Sequence, residues 1–142
     1  MKRIILTIAA LFALAIITPG AAAQTTYRSH TDRYGNTTTY GSNGYRSTSY
    51  TDRYGNTTTR TNKGTTYHSH TDSYGNTTTY GSNGYRSTSY TDRFGNTTTR
   101  TNKGTTYHSH TDSFGNTTTY GSDGSRSTSY TDRFGNTTTR TR

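Results

Sequence analysis

Two His-x-His pairs are the clearest candidates for metal chemistry in this sequence. The first is His68 with His70, and the second is His108 with His110. On a β-strand, residues i and i+2 share a face, so both imidazoles of a pair can reach one Zn²⁺, Cu²⁺ or Ni²⁺ ion. A structural metal site needs more ligands than one pair supplies, so each pair is incomplete on its own. The pairs predict divalent-metal binding, against the simpler alternative of exposed imidazoles on a polar sheet.

A Thr-x-Thr motif returns every 20 residues, beginning with Thr37 and Thr39. In the stacked coils of a β-solenoid, such threonines would form a flat ladder that resembles the face of some ice-binding solenoids. Threonine is also common in strands because of its β-propensity alone. The motif therefore predicts an ice-binding face only if the repeats form a solenoid.

Cations and aromatic rings alternate at equivalent positions of successive 20-residue units. The alternating residues are Tyr40, Arg60, Tyr80, Arg100, Tyr120 and Arg140. Repeated cations beside aromatic rings suit anionic polymers such as polysaccharide, lipopolysaccharide or extracellular DNA, bound by charge and stacking and with no specific nucleic acid sequence. The alternative is a cationic surface that only keeps the protein soluble. We predict electrostatic adhesion of low specificity that salt weakens.

Catalytic chemistry has little support in the sequence. Glu and Cys are absent, and every pattern of polar residues is repeated. Active sites are usually singular, so the period itself argues against an enzyme. Each Asp-x-x-Gly-Asn segment offers one carboxylate, whereas Ca²⁺ takes about 6–8 oxygen ligands. We therefore predict a non-enzymatic protein without a cofactor, apart from the metal predicted at the histidine pairs.

The first 23 residues have the layout of a secretory signal peptide. Lys2 and Arg3 form a charged start, residues 4–17 are apolar, and Ala21 to Ala23 form a cleavage site that would leave Gln24 first. The apolar stretch is shorter than the ~20 residues of a transmembrane helix, and no second one follows. We predict a protein that is secreted, extracellular or held in the cell envelope or periplasm, with no transmembrane segment after cleavage.

Residues 24–142 hold little material for a conventional core. Their large apolar side chains are all aromatic, namely the 14 tyrosines with Phe94, Phe114 and Phe134. The chain has no Cys for disulfides and carries a net charge of +9. So little aliphatic surface compensates poorly for the entropy of ordering, which makes disorder one alternative. Any order must come from backbone ladders, Thr and Ser contacts and Tyr packing.

Internal repetition organises residues 24–142. The segment Thr-Asp-x-(Tyr/Phe)-Gly-Asn-Thr-Thr-Thr occurs six times at intervals of 20 residues, within a 40-residue repeat whose third copy, 111–142, is truncated. Strand-forming Thr and Tyr alternate with turn signals about every ten residues, which predicts an all-β array. We predict a repetitive antiparallel β-meander of hairpins, with a β-solenoid of 20-residue coils as the alternative.

Turn chemistry determines the predicted register of that meander. The Asn-Gly pair at 43–44 indicates a two-residue type I′ turn, because both central positions of that turn need positive φ. A loop of this length places Tyr40 opposite Ser47, and the equivalent next loop places Arg60 opposite Tyr67 as a cation–π pair. The Asp-x-x-Gly-Asn segments supply the other corners, since Asp and Asn bond locally to backbone and Gly accepts a left-handed conformation.

The segment Thr31–Tyr40, which reads Thr-Asp-Arg-Tyr-Gly-Asn-Thr-Thr-Thr-Tyr, and its five echoes resemble the YD repeats of rearrangement-hotspot (RHS) and teneurin-type proteins. The resemblance implies antiparallel strands that spiral into a large sheet or shell at a cell surface, and it favours the meander. This chain departs from the family pattern, since Tyr50 lies two residues before Asp52 and the family's Leu or Ile is absent. Its short array implies neither a closed shell nor a toxin domain.

Together these features predict a secreted bacterial repeat protein with a structural or adhesive role at the cell surface or in the extracellular matrix. Its expected partners are further copies of itself, as an oligomer or a fibre assembled through strand edges, or anionic surface polymers. The alternative function is a ligand-binding repeat module, for a divalent metal or for ice.

Overall fold

Residues 24–142 form twelve β-strands in the computed structural model, which describes this part of the chain. The strands are β1 (Thr25–Thr31), β2 (Thr37–Gly41), β3 (Arg46–Thr51), β4 (Thr57–Thr61), β5 (Thr66–Thr71), β6 (Thr77–Gly81), β7 (Arg86–Thr91), β8 (Thr97–Thr101), β9 (Thr106–Thr111), β10 (Thr117–Gly121), β11 (Arg126–Thr131) and β12 (Thr137–Thr141). The prediction of an all-β array is confirmed. The signal peptide predicted at residues 1–23 lies outside the described residues, and the described residues include no helix long and apolar enough to cross a membrane.

The strands form an antiparallel meander that closes into a barrel, because β1 pairs with β12. The predicted meander is confirmed, and the solenoid does not form. Thr31 of β1 pairs with Thr37 of β2, and Thr37 pairs on its other side with Ser49 of β3. The residue of β3 that is equivalent to Thr31 is Thr51, two positions further on, so each hairpin shifts the register by two residues. Over six hairpins the shear is about 12 residues, and a barrel of equal strand number and shear has strands tilted by about 35–45°.

The first strand completes the truncated third repeat. In the first two repeats, the Thr61 hydroxyl donates to the carbonyl of Thr65 and the Thr101 hydroxyl to that of Thr105, both at 3.2 Å. At the closure, the Thr141 hydroxyl donates to the carbonyl of Thr25 at the same 3.2 Å. Strand β1 therefore occupies the place of the missing fourth strand, and the barrel has approximate threefold symmetry built from 40-residue units.

One end of the barrel, here called the Asp-turn rim, consists of the six turns that follow the odd-numbered strands. In the turn at 52–56, Oδ1 of Asp52 accepts the backbone N–H groups of Tyr54 and Asn56 at 2.8 and 2.9 Å. The other oxygen, Oδ2, accepts from the Asn56 side chain at 3.0 Å. Gly55 takes a φ of 83°, which non-glycine residues rarely adopt. These bonds keep the Asp52 pKa below its ordinary value, with the Asn56 side chain as the main cause.

The opposite end, here called the Asn/Lys rim, has five turns with the same backbone hydrogen-bond pattern, at 41–45, 61–65, 81–85, 101–105 and 121–125. Gly41 N–H donates to the Tyr45 carbonyl at 2.8 Å, and Gly44 N–H donates to the Gly41 carbonyl at 3.1 Å. The left-handed residue is Gly44, with φ 80°. The loop thus has three residues, with a type I turn and a glycine bulge, and the predicted type I′ turn is wrong.

This extra loop residue shifts the predicted pairing by one position, which turns every side chain of the following strand to the other face of the sheet. Tyr40 pairs with Arg46 rather than with Ser47, and Arg60 pairs with Thr66 rather than with Tyr67. The odd-numbered residues of each strand consequently face the barrel interior, and the even-numbered residues face outward.

Hydroxyl pairs line the interior instead of aliphatic side chains. In each two-strand unit, a Ser hydroxyl meets a Thr hydroxyl and a Thr meets a Thr, at 2.7–3.0 Å in all twelve pairs. Within these pairs, Thr59 is fully buried and Ser89 is 4% exposed. Each buried hydroxyl that is paired in this way avoids the cost of an unsatisfied polar group, which explains how the sheet closes without an aliphatic core.

A cluster of tyrosines fills the interior near the Asn/Lys rim. Tyr27 meets Tyr45 edge to face, with ring centroids 5.8 Å apart, and the Tyr67 and Tyr85 rings repeat this contact at 5.8 Å. Gly41 lies beneath the Tyr27 ring, where a Cβ atom would be 2.8 Å from Tyr27 Cε1. The cluster therefore depends on glycine at this position, which Gly81 and Gly121 occupy in the later copies.

Burial is the main cause of raised pKa values in this tyrosine cluster. It raises the pKa of Tyr27, Tyr45 and Tyr85, and it raises the pKa of Tyr107 to about 12 with the Asp123 carboxylate as the second cause. The third repeat lacks one member of the cluster, because Ser125 stands where the first two repeats have tyrosine.

Candidate functional site

Three equivalent rows of polar and aromatic side chains cross the outer face of the barrel, and we call them the outer stripes. The register places paired residues side by side on five successive strands. The stripes are Tyr50–Thr58–His68–Tyr80–Arg86, Tyr90–Thr98–His108–Tyr120–Arg126 and Tyr130–Thr138–Arg28–Tyr40–Arg46. Two stripes carry a histidine at the central position, and the stripe that crosses the closure carries Arg28.

An arginine stacks on a tyrosine in every outer stripe. The guanidinium carbons of Arg46, Arg86 and Arg126 lie 5.5, 5.5 and 5.3 Å from the ring centres of the tyrosines on the neighbouring strands. These distances allow cation–π attraction. The tyrosines, Tyr40, Tyr80 and Tyr120, are 52–54% exposed, so ring edges and guanidinium groups face solvent together.

The predicted metal ligands His68 and His70 both lie on the outer face and are exposed. His68 Nδ1 lies 3.1 Å from the Thr58 hydroxyl, and His70 Nδ1 lies 2.6 Å from Oδ1 of Asn56. The pair His108 and His110 repeats this arrangement. Among residues 24–142, no group of three or more His, Cys, Asp or Glu side chains is placed to hold a metal ion. Divalent-metal binding by these pairs stays a prediction.

A side-chain relay orients His70, and the sequence did not suggest it. The Asn56 amide donates through Nδ2 to Asp52 Oδ2 at 3.0 Å, so its Oδ1 faces His70 Nδ1 as an acceptor. The proton of His70 therefore sits on Nδ1, and Nε2 keeps the lone pair that a metal ligand needs. Equivalent relays join His110 to Asn96 and His30 to Asn136 at 2.6 Å, the latter across the closure. The missed signal was the Asn of the turn, which lies 14 residues from His70 in sequence.

The Thr-x-Thr motif faces the barrel interior. Thr37 is buried, and its hydroxyl pairs with Thr31 at 2.9 Å, while the Thr39 hydroxyl pairs with Ser29 at 2.8 Å. An ice surface has no access to these hydroxyls, and without a solenoid the stacked ladder that motivated ice binding does not form.

The Asp-turn rim carries the most exposed aromatic rings of the described chain. One ring stands at the tip of each of the six turns, with exposures of 70–89%: Tyr34, Tyr54, Tyr74, Phe94, Phe114 and Phe134. Four of these rings carry a stacked guanidinium from the preceding arginine, at 4.6–4.8 Å. At Tyr74 and Phe114 the preceding residue is serine, and these rings are 87% and 89% exposed.

A basic cavity lies at the closure, where three arginines converge. Its volume is about 270 Å³, and its lining includes Arg126, Arg140 and Arg142 together with Thr128 and Tyr130. In the earlier repeats, the position of Arg142 belongs to an asparagine that bridges strands, as when Asn62 donates to the Gly44 carbonyl at 2.9 Å. The closure is therefore the most cationic part of the outer wall.

Searches of family models, curated proteins and solved structures find no match to this chain. The resemblance to YD repeats accordingly stays an expectation from the residues of the repeat.

Proposed function

We propose that this chain is a secreted, non-enzymatic repeat protein with a structural or adhesive role, and that its outer stripes bind anionic surface polymers. The observation that carries the proposal is the threefold Arg-on-Tyr stack, with Arg46, Arg86 and Arg126 as the cations. A guanidinium held beside an exposed ring offers both a partner for carboxylate or sulfate groups and an apolar edge for a sugar.

The distribution of charge supports a polymer rather than a small ligand. Exclusion of Lys2 and Arg3 from the chain's charge of +9 leaves +7 on residues 24–142. The stripes repeat around a closed wall, so a long polyanion that follows the wall meets several equivalent cations in succession. Linked contacts of this kind raise avidity far above the affinity of one site. The cavity at the closure, with Arg126, Arg140 and Arg142, extends one stripe with further cations.

The decisive experiment measures binding of residues 24–142 to a uronic-acid polysaccharide and to its neutral analogue, across salt concentration. The triple variant Arg46→Gln, Arg86→Gln and Arg126→Gln removes the three stacked cations from the stripes. We expect at least a tenfold loss of affinity and a shallower dependence on salt, because fewer counterions are released on binding.

The matched control is Arg33→Gln, Arg53→Gln and Arg93→Gln, which makes the same change in net charge at the Asp-turn rim. This control should lose less than threefold in affinity. Equal losses in both variants would mean that only net charge matters and would remove the stripes from the proposal. Equal binding of the neutral polysaccharide would exclude the electrostatic mechanism.

Divalent-metal binding at His68 with His70, and at His108 with His110, is the second candidate function. The relay through Asn56, which leaves Nε2 of His70 available, favours it. Titration calorimetry with Ni²⁺ and Zn²⁺ should give two sites per chain, and His70→Gln with His110→Gln should abolish both. His30→Gln is the control, because the residue two positions before His30 is Arg28 rather than a histidine, so His30 is not part of a pair. Unchanged binding in the double variant would exclude the pairs.

A further inference from the structure

Barrel closure changes the surface through which copies of this protein can meet. Every strand of residues 24–142 is paired on both sides, so among these residues no strand edge is open for another chain. The edge-to-edge route to a fibre, expected from the sequence, therefore has no starting point in this fold. The two rims and the outer wall remain as surfaces, and the rims differ from each other in both chemistry and charge.

The Asp-turn rim is apolar at its tips and has an excess of negative charge. Its six turns carry six aspartates against four arginines. The aspartates are held ionised, since local hydrogen bonds lower their pKa values, mainly through an asparagine side chain in each turn. At roughly 200 Å² per ring, of which 70–89% is exposed, covering the six aromatics completely would remove on the order of 900 Å² from water. A standard protein interface needs about 800 Å² from each partner.

The Asn/Lys rim is polar and cationic. Lys63 and Lys103 stand exposed at two of its turn tips, and Arg142 lies at the closure. Arg46 and Arg60 flank the turns on either side, and the later repeats have the same arrangement. One acidic residue, Asp123, stands in a turn of this rim. The two ends of the barrel thus carry opposite net charge. The acidic end is also the end with the exposed aromatic rings.

We propose that the Asp-turn rim of one barrel docks on the Asn/Lys rim of a second copy, so that barrels stack coaxially, head to tail. Three features of the described chain point to this occupant. The two rims have opposite charge, the exposed aromatic area matches a stable interface, and one rim offers lysines and arginines that can serve as cation–π partners for the aromatic rings of the other. Both rims also share the approximate symmetry of the repeats, so a coaxial approach brings turn tip to turn tip.

The proposed contact is heterologous, so it leaves one free rim at each end and the stack grows by repetition. A contact between two Asp-turn rims would bring like charge against like charge. A stack of closed barrels would give the structural role proposed above a definite form, but it does not depend on polymer binding.

The test uses residues 24–142, which contain all twelve strands and the closing β1–β12 pair. The rim variant Tyr34→Ser, Tyr74→Ser and Phe114→Ser strips alternate tips of the Asp-turn rim but leaves Asp, Gly and Asn of each turn in place. The second variant, Lys63→Glu with Lys103→Glu, reverses charge at the Asn/Lys rim. Sedimentation velocity between 1 and about 200 μM measures assembly. The unsubstituted chain should form a concentration-dependent series of species.

Each variant alone should stay monomeric over this range of concentration, which corresponds to at least a tenfold loss in association constant. An equimolar mixture should form a one-to-one dimer and nothing larger, because one intact rim of each kind remains. Tyr50→Ser with Tyr90→Ser and Tyr130→Ser, on the outer wall, is the control and should assemble like the unsubstituted chain. Far-UV circular dichroism confirms that every variant keeps its strands.

Three outcomes would overturn the proposal. The Lys63→Glu, Lys103→Glu variant could dimerise on its own while the rim variant stays monomeric. That result would mean that two Asp-turn rims contact each other. A monomeric unsubstituted chain that binds lipid vesicles through the aromatic rim would make a membrane surface the occupant. A monomer without vesicle binding would mean that the rim has no partner of either kind. Loss of polymer binding in the outer-stripe variants would not bear on any of these results.

Discussion

The two rims of this barrel share the same local backbone bonds in their turns, but they differ in the range of their side-chain hydrogen bonds. At the Asp-turn rim, Asp52 bonds to Tyr54 and Asn56, so all partners lie within four residues of it. At the Asn/Lys rim, the Ser42 hydroxyl accepts from Thr26 N–H at 3.1 Å and Asn62 donates to the Gly44 carbonyl at 2.9 Å, across 16 and 18 residues. The first rim is built mainly within each turn, with the relay from Asn56 to His70 as a link to another hairpin, whereas the second depends on the neighbouring hairpins and on the tyrosine cluster.

A repeat can therefore distribute its stabilisation unequally between its two ends. A self-contained turn forms early and tolerates change in its neighbours, because its contacts are local. A rim that depends on packing between hairpins is cooperative, and it transmits any local defect around the barrel. Changes of pH and single substitutions should therefore affect the two ends separately.

Extremes of pH should weaken the two rims separately. The lowered aspartate pKa values of the Asp-turn rim contribute stability that is present above the unfolded value of ~4 and is lost as the pH falls through the folded value. The raised tyrosine pKa values contribute stability that is complete below ~10 and is lost as the pH rises towards the value of about 12 for Tyr107. Urea midpoints measured from pH 2 to pH 12 should fall at both extremes.

Site-directed controls assign the two limbs of that pH profile. Tyr107→Phe should make the basic limb shallower, whereas Tyr120→Phe, on the exposed face, should leave it unchanged. Asp52→Asn should make the acidic limb shallower. A basic limb that responds equally to both tyrosine substitutions would contradict the assignment to the buried cluster.

A methyl group at the two kinds of glycine should have unequal cost. At Gly81, a Cβ would lie 2.8 Å from Tyr67 Cε1 and 2.6 Å from Asn83 Oδ1, so Gly81→Ala should destabilise the barrel by ~3 kcal/mol through overpacking. At Gly75 the space is open, and Gly75→Ala should cost ~1 kcal/mol through its φ of 85° alone. Chemical denaturation measures both. A reversed order would mean that the tyrosine cluster adapts more easily than the turn.

The hydroxyl of Tyr45 offers a stabilising change within the cluster. It is buried, and its nearest polar neighbour, the Ser47 side chain, does not bond to it with normal hydrogen-bond geometry, so Tyr45→Phe should raise stability by ~1 kcal/mol. Tyr27→Phe is the comparison, because the Tyr27 hydroxyl accepts from Asn43 at 3.4 Å and its loss should be neutral or slightly destabilising. A loss of stability in Tyr45→Phe would show that its hydroxyl is satisfied in solution.

The smallest effect is expected from Asp123→Asn, which makes the third copy of the turn like the first two. Stability should change by less than ~0.5 kcal/mol, because Asp123 is exposed. The pKa of Tyr107 should fall, since its hydroxyl would no longer face a carboxylate at 3.4 Å. Absorbance of tyrosinate near 295 nm, followed through the alkaline titration, reports this shift. An unchanged titration would attribute the raised pKa to burial alone.

The difference between local and long-range contacts also explains which parts of the fold could be predicted from the sequence. The corner at Asp52 could be read from five consecutive residues, and the all-β meander followed from Thr-rich strands between such corners. The loop at the other rim could not, because Asn43-Gly44 fits a two-residue turn as well as a three-residue turn with Gly44 left-handed. Only contacts between hairpins distinguish them, and the choice of the two-residue loop paired Tyr40 with Ser47 rather than with Arg46.

Closure and the relay at His70 were hidden for a related reason. Residues 25–31 match residues 65–71 at six of seven positions, which marks them as a copy of the fourth strand of the repeat, but nothing in the sequence shows that this copy pairs with the last strand. The histidine pairs were correctly placed together on one face, since spacing of two suffices for that in any strand. The orientation of His70, however, depends on Asn56, which lies in the turn between β3 and β4 and is 14 residues away in sequence.

The register shift of two residues per hairpin has a consequence for how such a chain can evolve. Strand tilt depends on the ratio of shear to strand number, and each 40-residue unit adds equally to both. Unequal crossing-over between near-identical units would therefore widen or narrow the ring in whole steps while the local geometry of every hairpin stayed the same. The circumference of the barrel would then change through gain or loss of whole repeat units rather than through substitution of individual residues.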